Sequence, residues 1–418
     1  MAETRTIGGA ERRARLGVRH LLAGGARAGS AEEVADRLVA LHGTDPASVF
    51  LAVAARLSGT AGPVGTAGNA GATGGAGPVG EVERALYEDR SLVRMHGMRH
   101  TVFVFPAGLA PAVQASTTAP AAARERAGLL RHLEAGSALD AAWLAETERL
   151  VLAELAVRGE ATGTELGDAV PALRSTYVYG KGTRQEGVQS VASRVLRVLG
   201  MEGRIVRGRP QGSWTSSRFR WAPAAPHPAL DPAEARAELI RRWLGACGPA
   251  TEADLKWWTG WKVTEVRGAL TALGAVPVTL DEGTGFVLPD DLEPVPPEGT
   301  EPEPWAALLP ALDPTPMGWQ GRDWYLDPEH RAALYDRSGN IGPTVWWNGR
   351  IVGGWAQRPD GEIVHRLLTD VGAEAGRAIG AEAERLAGWV GDVRVTPRFR
   401  TPLERELGAG SGPGGSVT

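Results

Sequence analysis

The sequence predicts an α+β fold assembled from small helical units that each close with a β-hairpin, and two observations carry that expectation. The first is a plan that occurs twice. Helical patterning at Asp140–Val157 is followed by Ala161-Thr162-Gly163-Thr164-Glu165-Leu166, a third helix at Gly187–Leu199, and the extended runs Arg204–Arg209 and Thr215–Trp221 around Pro210-Gln211-Gly212. A helix at Ala233–Leu244, the run Gly248–Leu255, a helix at Lys262–Leu273 and a hairpin over Ala275–Leu288 turning at Asp281-Glu282-Gly283 repeat that order. The second observation is local. Gly159–Leu166 and Gly248–Leu255 both read small residue, threonine cap, acid, leucine, the signature of a helix start.

Three helices and a hairpin are the plan of a winged helix, which sets its third helix in a DNA groove and its hairpin on the backbone. Residues 138–225 are read as one such unit, 231–291 as another, and 1–137 as a third, elaborated copy. In that first region helices are expected at Glu11–Ala23, Ser30–Leu41, Ala47–Leu57, Val82–Tyr87 and through Leu109–Leu133, with extended structure over Leu92–Phe105. Ser58–Gly80, built of Gly, Ala, Thr and Pro, reads as a mobile loop. After a Pro/Glu linker at Glu293–Pro304, residues 304–407 change character. Thr344–Trp355 is a hairpin on the turn Asn348-Gly349, followed by a helix at Ala373–Trp389 and a strand at Asp392–Thr396, giving a small β-rich α+β domain. Residues 408–418 read as a disordered tail.

Composition bounds the function. A length of 418 residues suggests about three domains, and a hydrophobic fraction of 43% suits a globular core. No apolar run reaches the roughly 18 residues of a membrane span, and the opening, with Glu3, Arg5, Glu11, Arg12 and Arg13, is no secretory signal, so a cytoplasmic protein is expected. The single cysteine, Cys247, excludes an intramolecular disulfide, and eight scattered histidines lack metal-ligand spacing. No metal or cofactor is expected, and the chain is expected to be a monomer.

The net charge of −4 hides an asymmetry. Arg194, Arg197, Arg204, Arg207, Arg209, Arg218 and Arg220 stand within one stretch whose only acid is Glu202, whereas Asp281–Glu303 is rich in Asp and Glu. With Gln189 on the expected third helix, these arginines form a candidate double-stranded DNA face; an ordinary solvated arginine surface is the competing reading. Trp257, Trp258 and Trp261, interleaved with Lys256 and Lys262, read as packing rather than as base-stacking platforms. Arg90–Thr101 adds Arg90, Arg94 and Arg99 as candidate phosphate clamps, with alternation placing Arg94 and His96 opposite Met95.

The stretch Leu41-His42-Gly43-Thr44-Asp45-Pro46 concentrates a neutral base, a hydroxyl and a carboxylate at an expected break between two helices. Asp45-Pro46 is equally a good helix start, an aspartate cap followed by proline at the first helical position.

These motifs give the chain a resemblance that spans nearly its whole length. Leu-x-x-x-Asp-Pro at 41–46, Arg-Ser-Leu-Val-Arg-x-x-x-Met-Arg-x-Thr at 90–101, and Leu309-Pro310-Ala311-Leu312-Asp313-Pro314 resemble the winged-helix family of bacterial alkylpurine DNA glycosylases (AlkZ/YcaQ-like). The resemblance implies three tandem winged helices curved around DNA and a Gln-x-Gln or Gln-x-Asp pair at the break. Transferred by position, those glutamines fall on His42 and Thr44, with Asp45 adjacent. It further implies hydrolysis of the N-glycosidic bond of an alkylated or bulky-adducted purine, with His42 holding water, Asp45 facing an oxocarbenium-like sugar and Thr44 orienting. The alternative is a non-catalytic winged-helix DNA-binding protein, such as a transcriptional regulator, in which the break only caps a helix.

Overall fold

A computed structural model describes residues 4–58, 77–295 and 303–409. Most of the expected loop at 58–80, the centre of the 293–304 linker and the tail from 410 lie outside the described residues. The chain is α+β, with small antiparallel sheets among many helices. No described helix is long and apolar enough to cross a membrane.

The first region orders helix Ala31–Leu38, strand Leu41–His42, helix Pro46–Ala54, helix Pro78–Glu83 and a hairpin of Leu92–His96 with Val102–Pro106. The expected helix to Leu41 stops three residues early. Val39 takes a left-handed φ of 67°, a costly conformation for a β-branched residue, and the turn delivers Leu41 and His42 to the edge of the hairpin sheet. There Leu41 pairs with Val104 and His42 with Phe103. The sheet order is Leu41–His42, then Val102–Pro106, then Leu92–His96. Its faces enter different cores: Met95, Phe103 and Phe105 on one side, Leu41, Leu92 and Val104 on the other.

The second region carries helices Ala141–Arg158, Gly163–Ala169 and Val191–Met201 and the hairpin Ile205–Pro210 with Phe219–Pro223. The third carries Pro232–Cys247, Glu252–Thr259, Val263–Ala272 and the hairpin Val276–Leu280 with Gly283–Val287. The repeated helix start is real in both. Thr162 with Glu165 and Thr251 with Asp254 each close a reciprocal capping box, while Leu166 and Leu255 are fully buried behind them.

One expectation fails in the second region. Gly187–Ser190 is a strand paired with Thr176–Tyr179, not the first turn of the third helix, so Gln189 leaves that helix and accepts a hydrogen bond from the Tyr177 hydroxyl at 3.0 Å. This region has its own core, to which the preceding helix Ala119–Gly136 contributes Leu129 and Leu133.

The last region is a four-stranded antiparallel sheet of Ala306–Leu309, Thr344–Trp347, Arg350–Gln357 and Ile363–Leu367, backed by helix Gly372–Val390. Asn348 and Gly349 both have positive φ, the tight turn their sequence demands. Asp392–Thr396 is not a strand. The Gln357 side chain donates to Val393 O at 3.0 Å and accepts from Val395 N at 2.7 Å, holding the segment extended without a ladder. The last sheet also divides two cores, Leu309 and Trp346 facing one and Leu308 and Val345 the other. The acidic stretch after Asp281 is met by helix Gly9–Arg19, the first of the described helices: Arg12 pairs with Glu282, and Arg15 and Arg19 with Asp291.

Candidate nucleic-acid interface and polar break

The break folds as its composition dictates. Gly43 donates to Val102 O at 2.8 Å, tying the break to the hairpin. Asp45 then caps Pro46–Ala54, accepting from Ala47 N at 3.2 Å, and its second carboxylate oxygen accepts from Arg398 N at 3.0 Å. Both oxygens are thus held by backbone amides.

The three polar residues of the break do not converge on one cavity. His42 packs against Phe103 at 5.0 Å between ring centres and lines a void of about 20 Å³ with Arg99, Trp243, Trp258 and Met317. Burial, reinforced by Arg99, lowers its pKa to about 3, so the ring is neutral near pH 7. The backbone N–H of Thr44 points at its Nδ1 from 3.5 Å. Asp45 lines a different void, of about 10 Å³, with Ser48, Leu51 and Trp355. Neither void admits more than a water-sized group. Thr44 is half-buried, and its enclosed Oγ1 has no hydrogen-bond partner among the described residues. Of the trio's side-chain polar atoms, it is the one that is both enclosed and unpartnered among the described residues.

Leu309–Pro314 lies beside the break as a structural clamp. Asp313 takes two hydrogen bonds from Arg56, at 2.8 and 2.7 Å, and Arg56 also reaches His20 O, Ala52 O and Thr315 Oγ1. Ser48 donates to Ala311 O at 2.8 Å. The tryptophans behave as packing groups: Trp258 and Trp261 are 7% exposed, and Trp257 is stacked by Arg99 at 4.2 Å and Arg322 at 4.9 Å.

The arginine face separates into two sets. Arg194 and Arg197 lie 3.8 Å from Glu125, Arg204 pairs with Glu148 at 3.0 Å, Arg209 with Glu88 at 2.6 Å, and Arg220 stands 3.5 Å from Glu160. Acids absent from the local sequence are supplied by other elements. Among the described residues Arg90, Arg94, Arg99, Arg207 and Arg218 make no ion pair. Arg218 is exposed on the second hairpin, whereas Arg90, Arg94 and Arg207 line a cleft of about 420 Å³ between the first region's sheet and that hairpin.

Arg94 is 6% exposed, donates to Gly43 O and leaves its enclosed Nε unpartnered. Arg207 lies over the Phe219 ring at 4.3 Å; burial, with Arg94, Arg197 and Arg398 nearby, lowers its pKa to about 9. His96, on the same wall, is pushed down to about 3 by burial and then by Arg207. Arg398 stands near Arg94 and Arg207 as a further cation at this site. Arg398 comes from the far end of the chain with no local signal, whereas His96 was readable from strand alternation with Arg94.

An acid-poor arginine cleft flanked by helix-and-hairpin units is the arrangement of a polyanion-binding protein. Comparison with known proteins agrees. A family model described as DNA glycosylase AlkZ-like matches residues 35–389, and the chain belongs to the AlkZ-like DNA glycosylase family. An interstrand DNA cross-link repair glycosylase of Streptomyces sahachiroi is 28% identical over 226 residues, covering 51% of this chain and 59% of that relative. The chain therefore aligns with somewhat over half of that relative's length. The solved structure of the Streptomyces sahachiroi DNA glycosylase AlkZ superposes with a TM-score of 0.65 over 92% of this chain and 98% of that one, at 22% identity, a likeness of fold.

Proposed function

We propose that this chain is a DNA glycosylase that hydrolyses the N-glycosidic bond of alkylated or bulky-adducted purines in duplex DNA, acting as a cytoplasmic monomer. Its helix-and-hairpin units serve as winged helices on the duplex. The observation that carries the reading is the join between binding and polar machinery: Arg94, unpaired in the arginine cleft, is bonded to the carbonyl of Gly43 inside the break.

The chemistry asked of the break is modest. An N7-alkylated purine departs as a neutral base, so the protein must favour a cationic sugar and hold a water for attack. Thr44 Oγ1, with no competing partner, holds that water. His42 backs it as a neutral ring, and the amide-fixed carboxylate of Asp45 supplies negative potential. On this reading Thr44 takes the water that the sequence assigned to His42, and Asp45 keeps its place facing the developing positive charge. A lyase step would require an amine nucleophile, and none of Lys181, Lys256 and Lys262 lines the voids at the break or the cleft. The proposal is accordingly for a monofunctional enzyme that uses water as its nucleophile.

Incubation with a duplex containing N7-methylguanine, followed by scoring of abasic sites, tests the proposal. Wild type is expected to release the base, and Thr44→Ala and Asp45→Asn to lose release while still binding DNA. Tight binding with no release from any adducted duplex would instead identify a regulator, in which Asp45 serves only to accept from Ala47 N and Arg398 N.

A further inference from the structure

The large cleft has a composition that a duplex-binding surface does not require. Its walls are mostly apolar, with Tyr87, Met95, Ile205 and Trp221 among them, and its cations are Arg90, Arg94, Arg207 and Arg209. Arg209 is held by Glu88 and Glu83 and lies 5.2 Å from the Tyr87 ring, and Glu160 at the rim is engaged by Arg220. Arg94 and Arg207 have no such partner among the described residues.

A cation withdrawn from water without a counter-ion is unfavourable, and one beside an open cleft marks where an anion belongs. A volume of about 420 Å³ falls in the range of about 300–1,000 Å³ typical of small-molecule sites, and a duplex is too wide to enter it. The ligand that answers both halves of the lining carries one anionic group and one flat, largely apolar body.

We propose that this cleft is a single-nucleotide site, in which a nucleobase lies against Tyr87, Met95, Ile205 and Trp221 while its phosphate sits between Arg94 and Arg207. Rings that accept a base face, combined with guanidinium groups, are the usual means of holding unpaired nucleic acid. Because the cleft lies between two helix-and-hairpin units, its natural occupant is a nucleotide unpaired from the duplex those units grip. The inference rests on the reading of this chain as a DNA-binding enzyme, but not on its catalytic step.

The test uses the full chain and undamaged DNA of one sequence, either fully paired or with a single-nucleotide bulge, with affinity read by fluorescence anisotropy. The bulged duplex is expected to bind at least about tenfold tighter. Arg207→Gln and, independently, Tyr87→Ala are expected to bring the two affinities together, whereas Arg218→Gln weakens both alike and preserves their ratio. Addition of dGMP separates the sources: loss of the bulge preference shows that a free nucleotide fills the same site, and an unchanged preference shows that only a DNA-borne nucleotide reaches it. Equal affinities in wild type, or a preference that survives both cleft variants, would overturn the proposal. Since no base release is measured, a bulge preference without glycosylase activity would leave the cleft assignment standing and remove the catalytic one; release without the preference would do the converse.

Discussion

Arg56 and Arg94 are both arginines withdrawn from water, and their surroundings are opposite. Arg56, 0% exposed, is bonded to the carboxylate of Asp313, to two carbonyls and to Thr315. Arg94, 6% exposed, bonds to one carbonyl and faces an open cleft beside another unpaired arginine. The first fastens the first region to the last. The second forms no ion pair among the described residues, its acidic neighbours Tyr87 and Asp45 acting only from a distance, which is what a site for an external anion requires.

Breaking the two sites should therefore have opposite signatures. The largest expected effect is on stability: Asp313→Ala leaves Arg56 buried without its carboxylate and should cost about 3–5 kcal/mol in denaturant unfolding. A loss below about 1 kcal/mol would show that the clamp is dispensable.

Acid acts on both sites through histidine. His20, in the Arg56 clamp, has its pKa lowered to about 3 by burial and then by Arg56, and His96, in the cleft, is lowered to a similar value. Both folded values lie below the unfolded value of about 6.5, so between those limits the unfolded chain binds more protons. Stability should be fully present above pH 6.5 and fall as pH drops toward 3, by up to about 1.4 kcal/mol per pH unit for each such histidine. His96→Gln should reduce that slope, and a flat stability curve between pH 6.5 and 4.5 would contradict the burial argument. Because His42 is held neutral in the same way, base release should show no histidine inflection between about pH 5 and 8.

Arg94→Met inverts the Asp313→Ala result. Stability should change by less than about 1.5 kcal/mol, since no ion pair is broken, while affinity for the bulged duplex falls about tenfold and the salt dependence of that binding loses about one unit. Unchanged DNA binding in this variant would detach the cleft from the nucleic acid. The smallest effect is local: Thr251→Ala removes one capping box, at about 1 kcal/mol, and should leave both sites and DNA binding intact.

Legibility followed the range of the interactions involved. Thr162 with Glu165, Thr251 with Asp254 and Asn348-Gly349 act within a few residues, and the sequence located all three. The strand at Leu41–His42 is too short for any periodicity and exists because Val102–Pro106 offers it an edge. Gly187–Ser190 became a strand because Thr176–Tyr179 lies beside it, overriding a helical pattern that continues correctly from Val191. Among the candidate site residues, His42, Thr44, Asp45, Arg94 and Arg207 could be named from the sequence, but not which void each faces. The arginine stretch looked free of acids because Glu83, Glu88, Glu125, Glu148 and Glu160 reach it from other elements.

By itself the sequence determined the α+β character, the repeated helix-and-hairpin plan and the capped break with its three polar residues, because caps, turns and amphipathic periods are local. Only the tertiary structure decided that His42 and Asp45 face different voids, and that among the described residues the Thr44 hydroxyl has no partner and Arg94 and Arg207 make no ion pair while Arg204, Arg209 and Arg220 do. Those outcomes depend on which distant groups are brought within a few ångströms of a charge, and that is fixed by packing rather than by spacing along the chain.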